Sequence, residues 1–244
     1  MKMKNKLTLA IIIRSCLFWF LAVASLPFYN ILMLFIWPLS RQLKHKLITS
    51  STYYFSFLLQ HVARVKHRVI GRENIPKAPL LIVSNHQSAW ETVTFNCIFS
   101  PIVWIMKKEI LSIPMFGWGA RMASPIAIDR SRGEDALQQV FEQGKERFSQ
   151  GFWICIFPEG TRVKPGVRKP YKQGAAKLAL RLDVPVVPVA HNAGYYLPKN
   201  SFWFYPGEVT VIIGQPLYPD NDDVAEYTKK IETWINVQLD KLGA

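Results

Sequence analysis

Apolar positions change their period along this chain. Residues 7–39 are apolar almost throughout, broken by Arg14 and Pro27. Over residues 42–65, Leu43, Leu47, Ile48, Tyr54, Phe55, Leu58, Leu59, Val62 and Val65 fall near the i, i+3, i+4 spacing of an amphipathic helix. From residue 79 onward, short apolar runs alternate with helical periods. The runs 79–84, 102–106, 125–128, 152–157, 184–189 and 208–213 predict strands. Stretches from about Ser88, over about 133–149 and from about Asp223 predict helices, with Asp220 to Asp223 as the capping region of the last. This alternation predicts an α/β fold with a mostly parallel mixed sheet flanked by helices. Pro185 and Pro188 limit backbone donation in the run 184–189, which therefore reads as an edge or irregular strand.

The first apolar run admits three readings. A secretory signal would use the basic start and Ala22-Val23-Ala24 as its cleavage site, but Arg14 interrupts the apolar centre and a second apolar run follows at Phe28–Trp37. A single membrane span over 15–39 has the length. Its flanks are both basic, however: Lys2, Lys4 and Lys6 precede it, and Arg41, Lys44 and Lys46 follow. Equal positive flanks favour both ends on the cytoplasmic side. The third reading is a helical hairpin bent at Pro27 and dipping into one leaflet. The chain then divides into a membrane hairpin with an interfacial helix over 1–65 and an α/β domain over 66–244.

Charge changes this picture by its location. The net charge is +13, yet eleven Lys or Arg and no acid precede Glu73, which leaves 19 basic and 17 acidic residues for the remainder. Positive charge on an apolar segment suits an anionic membrane surface. A nucleic-acid binder would carry its basic stripe on a polar face, so no nucleic-acid partner is expected. The three cysteines, at 16, 97 and 155, form no CxxC pair, so no metal site is expected and the compartment is read as reducing.

Candidate chemistry sits at strand ends. Ser84-Asn85-His86-Gln87-Ser88-Ala89-Trp90-Glu91 follows the first central strand. A strand-to-helix turn can bring His86 and Glu91 together as an acid–base pair, the carboxylate fixing the imidazole tautomer. His86 alone among the five histidines has an acid within five residues in sequence. On spacing alone, a strand-end histidine with Glu91 on a solvated face reads at least as well. Phe157-Pro158-Glu159-Gly160-Thr161-Arg162 follows another strand; a tight turn, a hydroxyl and a planar guanidinium, with Lys164, Arg168, Lys169 and Lys172 behind them, could hold an anion. An ordinary turn with a solvated basic run fits equally. Arg130 of Ile128-Asp129-Arg130, and Lys107 at the end of a third strand, are further phosphate candidates, set against plain surface charges.

Taken in order, Asn85–Glu91, Ile128–Arg130, Phe157–Arg162 and Val184–Val189 resemble the glycerolipid acyltransferase family, whose pattern is NH-x4-D, a block ending I-D-R, FPEGTR and V-P-x-x-P-V. The resemblance covers about residues 70–190. Glu91 stands where aspartate is commoner, Ser124 where glycine is usual and Ala127 where phenylalanine is usual. The resemblance implies a glycerol-3-phosphate acyltransferase-like fold and acyl transfer from an acyl-carrier-protein or coenzyme A thioester to the sn-2 hydroxyl of 1-acyl-sn-glycerol-3-phosphate. It implies His86 as general base with Glu91 as its partner. Arg130, Glu159, Gly160, Thr161 and Arg162 would hold the glycerol phosphate, with help from Lys107. Backbone N–H groups at the start of the helix after His86 would hold the oxyanion. No cofactor is implied beyond the thioester co-substrate, and the expected location is the cytoplasmic membrane with the site on its cytoplasmic side. Two other readings stay open: acylation of a different lysolipid, such as a lyso-ornithine lipid, and a non-catalytic membrane-surface binding protein on the same scaffold.

Overall fold

The computed structural model describes residues 6–129, 131, 134–219 and 223–244. Arg130 and the first three residues of the expected capping region, 220–222, lie outside the described residues. The strands are β1 (Val65–Ile70), β2 (Leu81–Ser84), β3 (Ile102–Lys107), β4 (Ile126–Ile128), β5 (Trp153–Ile156), β6 (Val186–His191) and β7 (Gly207–Ile213). The helices are α1 (Leu9–Ile36), α2 (Arg41–Thr49), α3 (Ser51–His61), α4 (Trp90–Ile98), α5 (Phe116–Met122), α6 (Glu134–Ser149), α7 (Gly174–Leu182) and α8 (Val224–Lys241). Asp223 caps α8 by accepting from the Ala225 and Glu226 N–H groups.

The strands form one sheet in the order β1-β7-β6-β2-β5-β3-β4, parallel at every pairing except β6 with β7. β2, with the sequence LIVS, is buried at every position. Such a run reads as continuous rather than alternating because helices cover both faces of a parallel sheet. Parallel pairing also brings the C-terminal ends of β2, β3, β5 and β6 to one edge, where loops can gather reactive groups.

β6 is not an edge strand. It lies between β7 and β2 and is buried throughout. Its prolines fit there because neither is asked for a donor. Pro185 precedes the strand. The Pro188 carbonyl faces the β7 side and accepts from Gly214 N at 2.9 Å, and pairing with β7 begins only at Val189. A strand residue aims its N–H and C=O to the same side, so the missing N–H of Pro188 falls where no partner strand waits for it.

The N-terminal segment also departs from expectation. Pro27 does not break it into two helices: α1 runs for 28 residues with Pro27 inside and exposed. An interior proline removes one hydrogen bond and crowds the preceding turn, at ~3 kcal/mol. Buried positions on both sides of it keep the helix continuous. The buried positions Ile11, Ser15, Phe18, Ala22, Met33 and Ile36 form one stripe from end to end. The reversal falls at Trp37–Ser40, where Ser40 caps α2. Two helices, not one, then fill residues 41–61, and they return along α1: Tyr54 O–H donates to the Leu21 carbonyl at 3.2 Å, and the Tyr29 and Phe55 rings lie 6.2 Å apart. Phe18, Ala22, Leu58 and Leu59 join the same buried cluster as the sheet.

Candidate active site

His86 stands two residues beyond β2, and four contacts fix it. Its N–H donates to Glu159 Oε2 at 2.7 Å. Its carbonyl accepts from Val163 N at 2.7 Å. Its ring stacks on Phe157, 4.0 Å between centroids and 9° from parallel. Its Nδ1 lies 2.7 Å from Glu91 Oε1. The turn at Gln87–Ala89 creates this pairing, because it folds the strand end back over the first turn of α4, which carries Glu91. Ser88 closes the turn by accepting from Trp90 N at 3.0 Å, a structural use of its hydroxyl.

Glu91 is not on a solvated face; it is fully buried. Besides His86 Nδ1, its Oε1 accepts from the N–H groups of Gln87 at 2.9 Å and Ser88 at 2.8 Å. Burial pushes the carboxyl up, but His191, the His86 hydrogen bond and charge, and the Ser88 amide together bring it below the ordinary carboxylate range. An ionised carboxylate only accepts, so Nδ1 carries the proton and Nε2 presents its lone pair. The His86 side chain is 15% exposed, enough to meet a substrate hydroxyl. The longer side chain of Glu91 closes the hydrogen bond to His86 at 2.7 Å.

The N–H groups of Gln87 and Ser88 in the turn, and of Trp90 at the first residue of α4, are engaged within the turn and are not free to hold an oxyanion.

A second histidine joins the pair, unannounced by any acid nearby in sequence. His191, at the end of β6, is fully buried with Nε2 3.9 Å from Glu91 Oε1. Asn85 clamps it: Asn85 Nδ2 donates to the His191 carbonyl at 3.0 Å, His191 N donates to Asn85 Oδ1 at 3.0 Å, and His191 Nε2 donates to the Asn85 carbonyl at 2.9 Å. Burial lowers the His191 pKa. The available signal was Asn85 itself, a buried amide that needs partners. The remaining histidines have other surroundings. His45 bonds the Ala123 carbonyl, His61 stacks on Phe57, and His67 lies against Trp90.

Glu159, expected at the phosphate, instead faces the His86 backbone. Burial and the nearby Glu91 charge push it up to about 7, against the pull of the His86 N–H, Lys169 and Arg168. Its protonated form is favoured in the fold. That contribution to stability is complete below about pH 4.5 and is lost as pH rises through about 7. Glu159→Gln keeps an acceptor for the His86 N–H and removes the titration. The variant's unfolding free energy relative to the parent is expected to rise between pH 5 and pH 8, by up to about 3 kcal/mol. The difference between the two proteins isolates this group, because His45, His67 and His191, all lowered by burial, slope the opposite way. A difference that stays constant with pH in denaturant titrations would show that Glu159 titrates normally.

The rest of the loop after β5 is open. Gly160 adopts φ +70°, which favours glycine, and a Cβ there would stand 3.4 Å from Lys172 Nζ. Thr161 is exposed and Arg162 half-buried, and no carboxylate pairs with the Arg162 guanidinium among the described residues. Arg168 is committed elsewhere, to Asp240 and the Ala244 carbonyl, each at 2.6 Å. Lys107 is exposed at the end of β3, three residues beyond Trp104, whose ring stacks on Phe157. Asp129 Oδ1 accepts from the Ser131 N–H and O–H. Ser124, where the family usually has glycine, sits at φ +57°, a left-handed position, and its carbonyl accepts from Arg147 Nε at 2.9 Å. Cys155 is buried, its thiol pushed far up by burial and Glu91, which makes it a poor nucleophile.

A partly exposed imidazole backed by a buried carboxylate, at the C-terminal edge of a parallel sheet and joined through its backbone to the residue after Arg162, is the equipment for activating a hydroxyl. A family model described as "Acyltransferase" matches residues 66–192. The chain belongs to the acyltransferase family. It is 38% identical over 236 residues to the 1-acyl-sn-glycerol-3-phosphate acyltransferase of Pseudomonas aeruginosa, covering 95% of this chain and 92% of that one. To the Saccharomyces cerevisiae protein of the same name it is 28% identical, over 91% of this chain and 76% of that one. Its fold superposes on the crystal structure of the 1-acyl-sn-glycerophosphate acyltransferase PlsC from Thermotoga maritima with a TM-score of 0.79 at 27% identity, covering 96% of each chain.

Proposed function

We propose that this protein transfers an acyl group from a thioester to the sn-2 hydroxyl of 1-acyl-sn-glycerol-3-phosphate, giving phosphatidate. The observation that carries the reading is the 2.7 Å bond from His86 to the fully buried Glu91, with Nε2 left open. Nε2 takes the hydroxyl proton as the oxygen attacks the thioester carbonyl. Glu91 stabilises the imidazolium that results. As the C–S bond breaks, the imidazolium returns its proton to the departing thiolate. The ester forms with no covalent acyl-enzyme, consistent with the structural settings of Ser88 and Cys155.

Arg162 and Thr161 supply the phosphate grip, presented by the turn at Gly160, with Lys107 and Arg130 as further cations. Glu159 works one step back, holding the His86 backbone. The acyl donor is a carrier-protein or coenzyme A thioester. Arg162→Ala is expected to raise KM for the phosphorylated acceptor at least tenfold and to change kcat much less, as loss of a charged hydrogen bond worth about 1.5–3 kcal/mol requires. An unchanged KM in steady-state assays would remove Arg162 from the phosphate site.

The membrane reading rests on α1. By length and composition α1 suffices to cross a bilayer. At 1.5 Å per residue it is about 42 Å long. Yet it is fastened to the α/β domain near both ends. Phe204 N donates to Ser15 Oγ at 3.0 Å near one end, and Met33 and Ile36 pack with Ile48 and Met122 at the other. A crossing helix would pull the domain into hydrocarbon. α1 therefore lies in the cytoplasmic leaflet with its outer face, including Ile13, Phe20, Leu34 and Phe35, toward lipid. The site then opens where the lipid acceptor resides.

The direct test supplies purified protein with lysophosphatidate and both donor types, then follows phosphatidate by mass spectrometry. A panel of other lysolipids, including lyso-ornithine lipid, runs in parallel. Phosphatidate formed from lysophosphatidate in preference to the other acceptors is the expected result. Preference for another lysolipid, or no acyl transfer from either donor, would overturn the proposal.

A further inference from the structure

A second apolar surface stands beside α1, and nothing in the proposed chemistry uses it. The turn into α5 and its first residues expose Ile113, Met115, Phe116 and Trp118, at 48%, 48%, 62% and 54%. Four large apolar groups exposed within six residues exceed the scattered exposure normal for a surface. The backbone is shaped to present them. Met115 sits at φ 63°, ψ −57°, and Phe116 N donates to the Pro114 carbonyl at 2.7 Å, a tight three-residue turn that is strained for any residue with a Cβ. The turn aims Met115 and Phe116 outward and keeps them from folding back onto the core.

This surface continues the outer face of α1. Trp118 and Met122 line one apolar groove, of about 440 Å³, with Ile31, Leu34 and Trp37 of α1 and its following turn. Below it, Met122 packs with Met33, Ile36 and Ile48, so α5 and the C-terminal half of α1 are held against each other. The charges nearby are mainly positive: Lys107, Lys108 and Arg121 are exposed, against Glu109. A tip of Met, Phe and Trp rimmed by lysine and arginine matches an anionic phospholipid surface, with the aromatic groups at headgroup depth and the cations among phosphates.

We propose that α5 and the Pro114–Phe116 turn form a second membrane-inserting element that enters the same leaflet as α1. The second insertion widens the first and fixes the protein's tilt, where a lone helix lying in the interface could roll about its axis. Both then hold the sheet edge that carries His86 at a set distance from the bilayer. This inference rests on the reading of α1 as a leaflet-embedded helix.

The test uses the full-length chain carrying Cys16→Ser, reconstituted with phosphatidylcholine–phosphatidylglycerol vesicles. An environment-sensitive fluorophore is attached in separate proteins at Phe116→Cys, at Leu34→Cys on α1 and at Lys145→Cys on the exposed side of α6, with background labelling subtracted from the Cys16→Ser parent. Quenching by acyl-chain-brominated lipid is expected at positions 116 and 34 and not at 145. Quenching at 34 without quenching at 116 overturns the α5 insertion and leaves the α1 reading standing. Loss of quenching at both overturns both. A shift at 116 that grows with protein concentration and needs no vesicles points to a second copy as the occupant and also overturns the proposal. In a second measurement, Phe116→Asp with Trp118→Asp is expected to weaken vesicle partitioning at least tenfold, with turnover of a short-chain, water-soluble lysophosphatidate unchanged. Unchanged partitioning overturns the insertion.

Discussion

Replacing His86 with alanine is expected to lower kcat by about 10²–10⁴-fold in a protein that remains folded. The ring is the part of His86 that is open to a substrate, at 15% exposure. The residue's place in the turn is fixed by backbone bonds, from its N–H to Glu159 and from Val163 to its carbonyl, and alanine retains both. The lost ring contacts are the stack on Phe157 and the bond to Glu91. Single-turnover acyl transfer, with circular dichroism as the control for folding, measures the effect. Turnover near that of the parent in a folded variant removes His86 from the chemistry, and the proposed mechanism with it.

Changes at Glu91 are expected to separate catalysis from stability. Glu91→Gln is nearly the same size and leaves an oxygen to accept from Gln87 and Ser88. Its amide still accepts from His86 Nδ1 but carries no charge to stabilise an imidazolium. A kcat loss comparable to that of His86→Ala follows, with KM for the acceptor little changed. Glu91→Ala does more. It strands three N–H groups at a fully buried site, at about 1–3 kcal/mol each where water does not replace the carboxylate. Denaturant unfolding of the two variants is the measurement. Equal stability for both would mean that Oε1 does not organise the turn.

The sequence revealed the sheet better than the layers around it. Runs such as Leu81–Val83 and Trp153–Ile156 are apolar without a break and sit between turn signals, as a strand covered on both faces requires. β1 was hidden because it is an edge strand whose exposed side carries Lys66 and Arg68, so Val65 passed for the end of a helix. α7 was hidden because alanine makes most of its buried face, and Ala175, Ala176 and Ala179 give a weak apolar rhythm. The two prolines of β6 suggest an edge because each lacks an N–H to donate. Which side of the strand each missing N–H would face depends on the neighbouring strand's length, which no local pattern states.

For the site, the order of four short blocks was legible and the contacts between them were not. The proximity of His86 and Glu91 could be guessed from the turn between them. The approach of His191 and the reach of Glu159 to the His86 backbone span residues far apart in the chain and depend on β2 lying between β5 and β6. Glu159 shows the difference plainly. Its place in FPEGTR suggests the phosphate, and its carboxyl group holds the loop on which the base sits.

The buried stripe of α1 sets a limit on how this enzyme can be handled. An anchor joined only by a tether can be trimmed away, leaving a soluble catalytic body. Here Phe18 packs against Phe204, and Ser15 satisfies a backbone amide of the domain. Cutting α1 off would unroof the core as well as detach the protein. Solubilisation by engineering therefore has to repaint the outer face of the helix and leave its inner face in place.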